Sequence, residues 1–561
     1  MSFVRNASQD LVYDSGTSSY VSAYQNVSIP TNGPGPAVFV DSQGRALTYN
    51  GKALVYGEYN DLLEWTPDPD WWDIETIIGA DTRSYAGKAI ILYSNSEDTT
   101  TFTISSPLVA VETSDGSFYT STTTHTWDKT KDKPVSGDVS DTTPKYATRY
   151  VKLYFNTSNP TIRALEGYGK GSLYALFDCD LNINYGFNYG SDVFFYSNYS
   201  LVAFDFINNH KFNLASGYSY YYFCAYCYSL QKIPDVIDTS TCTNFAGFLN
   251  ECRSLKKIPD VLDTSSGTTF VNFLSGCMSL RKIPDVLDVS HGTNFSSFLS
   301  SCCSLKKVPD VLDVSNGTSF SSFLNGCYSL EKLPDVLDLS NGTGSLYGFC
   351  ESCKVLKKLP DVLDVSGFNN FQHFCYSCSS LEKLPDILDV SNGTNFSSFC
   401  GYCSSLKKLP DVLDTSNGTN FYEFCTSCYC LEKAPSGINI SSLDTSSSYG
   451  IYNFFAYCQS LRELPDVLDL SYISASMQLI GLLSGCYSLV KANIKLPSRS
   501  ITTLSSDNHI SIDSLRYIAN NAPTVTAGSA TLTIGSTNIS RAGGASGTII
   551  TTLTNKGWTV N

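Results

Sequence analysis

Aligned on the proline of a K-[IVL]-P-D motif, the chain repeats at Pro234, Pro259, Pro284, Pro309, Pro334, Pro360, Pro385, Pro410, Pro435 and Pro465. The step is 25 residues, once 26 and once 30. A constant period of this size dictates a solenoid. No unit so short buries its own apolar face, so neighbouring units must stack.

Each unit reads as two halves. In "TNFSSFLSSC", Phe295, Phe298, Leu299 and Cys302 fall at i, i+3, i+4 and i+7. That spacing predicts one stripe of a short helix, with Asn294 as its N-cap. The stripe returns as Phe270, Phe273, Leu274, Cys277 and as Phe371, Phe374, Cys375, Cys378. The other half, "SLKKVPDVLDVS", turns Leu305 and Val308 inward as a short parallel strand. It ends near Pro309, which lacks an N–H. The expected fold class is therefore an α/β repeat solenoid preceded by an all-β N-terminal domain.

The cysteines follow the repeat. One column is invariant: Cys227, Cys252, Cys277, Cys302, Cys327, Cys353, Cys378, Cys403, Cys428, Cys458 and Cys486. Three residues earlier, Cys alternates with Leu and Phe: Cys224, Leu249, Leu274, Leu299, Leu324, Cys350, Cys375, Cys400, Cys425, Phe455, Leu483. A position that accepts Leu is a core position, and free Cys behaves as a small hydrophobe. Zinc is the alternative that the C-x-x-C pairs bring to mind, but the stripe itself forces their spacing. Inter-turn disulfides are the other alternative. Stacked units place equivalent Cβ atoms about 4.8 Å apart, wider than the roughly 3.8 Å of a disulfide. The cysteines are read as structural core thiols.

Asp also repeats, after each motif proline (Asp260, Asp285, Asp310, Asp335) and three residues on (Asp263, Asp288, Asp313, Asp338). Like charges stacked at about 5 Å repel by about 1 kcal/mol even in water. Turn hydrogen bonds and a parallel Lys column (Lys257, Lys282, Lys307, Lys332, Lys358) are the expected compensation. A calcium ladder is the sharper alternative. The units lack the glycine content of calcium-binding β-rolls, and no cofactor or metal is expected.

"SNGTNFSSFLSGC-x-SL-x-K-L-P" resembles the BspA-like leucine-rich repeats, whose units read roughly "TSNVTNMSYMFSGCSSLTSLP". Ser290 to Pro309 follow that frame, and the likeness covers about 220–490. The chain departs from it in using Phe-Ser-Ser-Phe for Met-rich segments and in the extra residue of "PDVLD". The resemblance implies adhesion or recognition without chemistry, as in bacterial surface proteins and in phage tail and fibre proteins. The tail, with Ser514, Leu515, Ile518 and Gly557-Trp558, resembles an element at the ends of such proteins and is expected to cap the stack.

Elsewhere the signals are weaker. Degenerate units are expected from about 169, with Phe195 and Asn198 in the two cysteine slots. The tyrosine-rich "SGYSYYYFCAYCYSL" reads as an aromatic cap. Alternatively Tyr218, Tyr220, Tyr221, Tyr222, Tyr226 and Tyr228 form an exposed contact patch. Alternating segments such as "KAIILYSNS" and "TRYVKLYFN" predict a β-sandwich-like domain. The expected divisions are 1–70 (attachment segment), 71–168 (β-domain), 169–500 (solenoid) and 501–561 (cap).

The net charge of −15 and the absence of a basic cluster exclude an ordinary nucleic-acid binder. No apolar stretch reaches membrane-spanning length. The start "MSFVRNASQDLVYDSG" lacks an apolar signal-peptide core, so N-terminal export is not expected. His125, His210, His291, His373 and His509 have no metal-ligand spacing, and no Gly-rich phosphate loop, nucleophile elbow or paired-carboxylate motif appears. His291 and His373 occupy slots otherwise filled by Asn or Ser, which argues for the surface.

These readings converge on a non-enzymatic phage virion protein, a fibre or tail-type appendage. The solenoid would meet a host cell-surface glycan or protein, and the N-terminal region other virion proteins. A homo-oligomer, as a trimer, is the expected assembly, with no nucleic-acid partner and no membrane span. The alternatives are a BspA-like surface adhesin exported by another route and located on the bacterial surface, and an intracellular scaffold.

Overall fold

The computed structural model describes strand backbones up to residue 204, Ser197, and residues 222–561 apart from gaps within 232–238 and at 260–261, 445–448, 474–478 and 502–507. The chain divides into two compact units, Met1–Ser266 with Gly276–Leu280, and Gly267–Ser275 with Arg281–Asn561. Each is described by itself.

In the first unit, Leu11–Asp14, Ser19–Ser22 and Ser28–Pro30 form a three-stranded antiparallel sheet, which the loop-rich composition did not announce. A six-stranded sheet follows. Its order is Phe118–Thr120, Leu108–Thr113, Arg149–Phe155, Gly87–Tyr93, Leu173–Phe177, Ala203–Phe204. Thr124–Trp127, Thr100–Ile104 and Ile162–Ala164 make a separate three-stranded sheet. The strands expected from alternation in "KAIILYSNS" and "TRYVKLYFN" are thus present. Tyr154 is fully buried and donates its hydroxyl to Glu112 Oε2 at 2.9 Å. Ser197 has φ 59° and donates its amide to Ala225 O at 2.8 Å. Tyr226, with φ 62°, does the same to Asn250 O at 2.7 Å. Ser197 thus makes toward residue 225 the bond that Tyr226 makes toward residue 250, while residues 195 and 198 of the expected degenerate unit lie outside the described residues.

Among the described residues, the short helix expected in each repeat is not formed. In the second unit, the amides of Phe295, Ser297, Leu299 and Ser301 donate to the carbonyl oxygens of Ser319, Ser321, Phe323 and Asn325, one repeat on. The amides between them turn back locally, Phe298 to Phe295 O, Ser300 to Ser297 O and Cys302 to Leu299 O. An α-helix would use every interior amide internally and leave none to join the layers. Here alternate amides bind the next unit. The geometry requires left-handed residues, and Ser297 (φ 56°) and Ser301 (φ 60°) supply them. Equivalent positions hold Asn272 and Gly276, Ser322 and Gly326, His373 and Ser377, Glu423 and Ser427. None is β-branched, because such side chains tolerate φ > 0 least. Asn294 is accordingly no helix N-cap. Its Oδ1 accepts the Ser296 amide at 3.0 Å, an Asx turn that starts the looped segment.

Two columns of phenylalanine rings fill the core. Phe270, Phe295 and Phe320 stack at 5.6 Å, and Phe273, Phe298 and Phe323 at 5.5 and 5.6 Å. The Gly of each Ser-Asn-Gly loop lies over these rings: a Cβ on Gly317 would sit 2.3 Å from Phe320 Cζ. The parallel strand of each regular unit contracts to single bridges, such as Lys282 to Lys307 and Lys307 to Lys332. Proline interrupts the ladder beyond that point. True parallel strands appear at Glu463–Asp469 and Lys491–Lys495.

The C-terminal helix Ile512–Asn521 is capped by Ser511, whose side chain accepts from the Ser514 amide. Ser514 Oγ in turn accepts the Ala492 amide at 3.1 Å, which fixes this helix to the strand Lys491–Lys495. Leu515, Ile518 and Trp558 are buried. Lys556 Nζ closes the helix by donating to the carbonyls of Ala519, Asn520 and Ala522. Of the residues that carry the tail's likeness, Ser514 bonds the preceding strand, and Trp558 donates its Nε1 to Pro523 O at 2.8 Å.

Candidate recognition surface

The column cysteines are buried and unpaired in disulfides. Their thiols have a structural use that the sequence did not reveal. Cys277 Sγ donates to Leu249 O, Cys302 Sγ to Leu274 O and Cys327 Sγ to Leu299 O, at 3.1–3.2 Å. Cys353, Cys378, Cys403, Cys428, Cys458 and Cys486 repeat the bond, as does Cys252 to Cys224 O. Each acceptor lies in the preceding unit, three residues before that unit's own cysteine. The column thus joins a core-sized side chain to an S–H donor, which Leu cannot supply. Burial pushes the thiols of Cys327 and Cys486 up to about 12. The second column accepts Leu because no such bond is made everywhere; there Cys350 and Cys375 bring their sulfurs to 3.3 Å.

The Asp columns are used as expected. Asp288, Asp313 and Asp364 each accept the amide and the hydroxyl of the Ser two residues on, at 2.7–3.0 Å. The Lys column faces the other Asp column. Lys282 and Lys307 both reach Asp285, at 2.9 and 3.6 Å, and Lys332 reaches Asp310 and Asp335. These pairs are exposed and remove repulsion more than they add stability.

Between the Asp columns runs a feature the sequence reading missed. Val286, Val311, Val336, Val362, Ile387 and Val412 are 64–84% exposed. The signal was present in "PDVLD", whose first apolar residue alternates away from the buried Leu.

The second face is aromatic. Of the tyrosine patch proposed from sequence, Tyr218, Tyr220 and Tyr221 lie outside the described residues. Tyr222, Tyr226 and Tyr228 are half-buried: Tyr226 meets Tyr228 edge-on, and Arg253 lies 4.2 Å from the Tyr228 ring. A larger aromatic surface lies in the second unit. His373 is stacked between Tyr347 and Tyr376, at 5.5 and 4.7 Å. Tyr376 meets Tyr402 at 5.3 Å. His373 Nδ1 lies 3.2 Å from Glu351 Oε2. His373 is therefore half-buried in a stack, whereas His291 is exposed as expected. Farther along, Tyr422 stacks on Tyr452 at 5.4 Å, and Tyr449 meets Tyr452 edge-on. Partial burial and the nearby Glu351 and Glu423 hold the phenols of Tyr347, Tyr376, Tyr402 and Tyr422 above their usual range, so they remain hydroxyl donors at neutral pH. These tyrosines are spaced irregularly in the sequence, and only the stack brings them together.

Among the described residues no group of three or more His, Cys, Asp and Glu is arranged to hold a metal, and no helix is long and apolar enough to cross a membrane. No protein-family model matches the sequence, and no curated protein matches it. Among solved structures the chain is similar to a leucine-rich repeat protein from Bacteroides ovatus ATCC 8483, at 16% identity over 68% of this chain and 93% of that one, with a TM-score of 0.33. A TLR13–ssRNA13 complex matches at 11% identity over 68% of this chain and 64% of that one, with a TM-score of 0.18.

Proposed function

We propose that the protein is a non-enzymatic recognition protein whose repeat units carry a variable surface on a constant core. One observation supports this above the others. The Phe, Leu and Cys columns repeat almost without change, while the looped face between Tyr347 and Tyr452 collects tyrosines, His373, Glu351 and Glu423 that packing does not require. Aromatic rings edged by carboxylates suit contact with a glycan or protein surface. An extended regular face gathers many weak contacts.

The finer reading is a phage virion appendage of fibre or tail type. Residues 1–70 would anchor it to other virion proteins, 71–168 would form a sandwich-like spacer, and the solenoid of 169–500 would meet the host. A trimer would multiply weak contacts. The alternative is a BspA-like bacterial surface adhesin. Mass spectrometry of purified virions distinguishes the two. The recognition reading predicts that the chain binds host cells and that Tyr376→Ala with Tyr402→Ala weakens this binding without changing the melting temperature. Undiminished binding by that double variant counts against the aromatic face.

A further inference from the structure

The unit between Cys428 and Cys458 departs from its neighbours at exposed positions. Where the preceding unit has Asp411, Val412 and Asp414, this one has Ser436, Gly437 and Asn439. Gly437 takes φ +81°, and the chain here lies close against the preceding unit. Ser436 donates both amide and hydroxyl to Asp411 O, at 2.9 and 2.7 Å, and Asn439 donates its amide to Thr415 Oγ1 at 2.9 Å. The aliphatic row that ends at Val412 is interrupted by a residue with no side chain. Gly437 lines a cleft of ≈ 500 Å³ whose polar lining includes Asp414, Asn439, Asp469, Tyr472 and Lys495.

Ile438 and Val467 add an apolar part to this lining, and Tyr472 is 59% exposed. Lys495 Nζ lies 2.9 Å from Asp469 Oδ2. Partial burial of Asp469 raises its carboxyl, but hydrogen bonds from Ser471 and Lys495 outweigh this and hold it below the usual range. At neutral pH the cleft therefore combines carboxylate acceptors, an ammonium donor, an amide that does both, and an aromatic ring. Its volume is that of a small-molecule site. Vicinal hydroxyls answer such a set, since each both donates and accepts. A pyranose also offers a C–H face to Tyr472 and to the aliphatic side chains. Neighbouring units carry Asp and Val at these places and bury the same Leu, Phe and Cys positions, so the departure lies on the exposed side of the unit.

We propose that this cleft binds a neutral saccharide, with Tyr472 against the ring face and Asp414, Asn439 and Asp469 on its hydroxyls. The proposal rests on the recognition reading and deepens it by naming a ligand class. The test is saturation-transfer NMR on the full chain with the methyl glycosides of glucose, galactose, mannose, rhamnose and N-acetylglucosamine. At least one is expected to receive saturation. Tyr472→Ala and Asn439→Ala, both exposed substitutions, should each weaken that binding by about tenfold or more, while Tyr402→Ala on the aromatic face leaves it unchanged. No transfer from any of the five, or equal binding after both cleft substitutions, overturns the proposal. Host-cell binding through the aromatic face is measured separately, so the two readings fail separately.

Discussion

Cys327 Sγ lies 3.1 Å from the carbonyl oxygen of Leu299, one unit back, and donates its S–H to it. The same oxygen accepts the Cys302 amide at 3.2 Å. Both lone pairs of a buried carbonyl are thus used, and the thiol holds one unit to the next.

Replacing this side chain separates its two roles. Cys327→Val keeps the apolar volume and removes the donor, and should destabilise by about 0.5–1.5 kcal/mol. Cys327→Leu also forces extra atoms into a close-packed layer and should cost about 1–3 kcal/mol. Urea denaturation midpoints check the order. A Leu variant as stable as wild type would reduce the column to simple space filling.

Thiol labelling should follow burial. Among the described cysteines, Cys430 is exposed and Cys303 half-buried, while the rest are buried. A maleimide added to native protein should modify Cys430 first, then Cys303. Denaturation without reductant should release the column cysteines for labelling. Column cysteines that stay unlabelled in denaturant would show disulfides.

The buried thiols also set an alkaline limit. In the unfolded chain a thiol ionises near its ordinary value of about 9, whereas burial holds Cys327 and Cys486 up to about 12 when folded. Between those values the unfolded state has lost a proton that the folded state keeps. Stability therefore falls as pH rises from about 9 to about 12, by about 1.4 kcal/mol per pH unit per thiol. Melting temperatures measured from pH 7 to 11 should be flat below about 8 and fall steeply above 9. Cys327→Val should reduce that fall.

Gly317→Ala should destabilise by about 1–3 kcal/mol through overpacking. The new Cβ would meet Phe320 Cζ at 2.3 Å and the Phe295 ring at 2.9 Å. At Gly544, a Cβ meets nothing within 4 Å, although its φ of 74° disfavours alanine. Gly544→Asn, which tolerates that conformation, should change the melting temperature far less.

Asp313→Ala removes the acceptor of the Ser315 amide and hydroxyl, at 3.0 and 2.7 Å. The expected loss is about 1 kcal/mol, as for other local side-chain caps. Because these carboxylates are turn-forming, millimolar calcium should leave the melting temperature unchanged. A calcium-dependent rise abolished by a chelator would restore the ion-ladder reading.

The sequence by itself determined the period, the core columns and the buried thiols. Stacked units bury the same positions in every copy, so Phe295, Leu299 and Cys302 can be read from their recurrence alone. The sequence also indicated the Asp turns and the opposing Lys column, because their chemistry is local or repeats in step. The looped half was misread as a helix because the apolar spacing of Phe295, Phe298, Leu299 and Cys302 fits both. Only the bonds between units, such as Ser297 to Ser321, distinguish them. The recurrent glycines at positions 276 and 326 were the available signal for left-handed backbone. The tertiary structure alone decided the surfaces. Tyr347, His373, Tyr376 and Tyr402 hold different places in their units, and stacking makes them neighbours. The cleft at Gly437 likewise needs Asp414, Asp469 and Lys495 from three separate segments. A core repeats because every layer meets the same neighbours, whereas a binding face depends on which unlike side chains adjacent layers bring together.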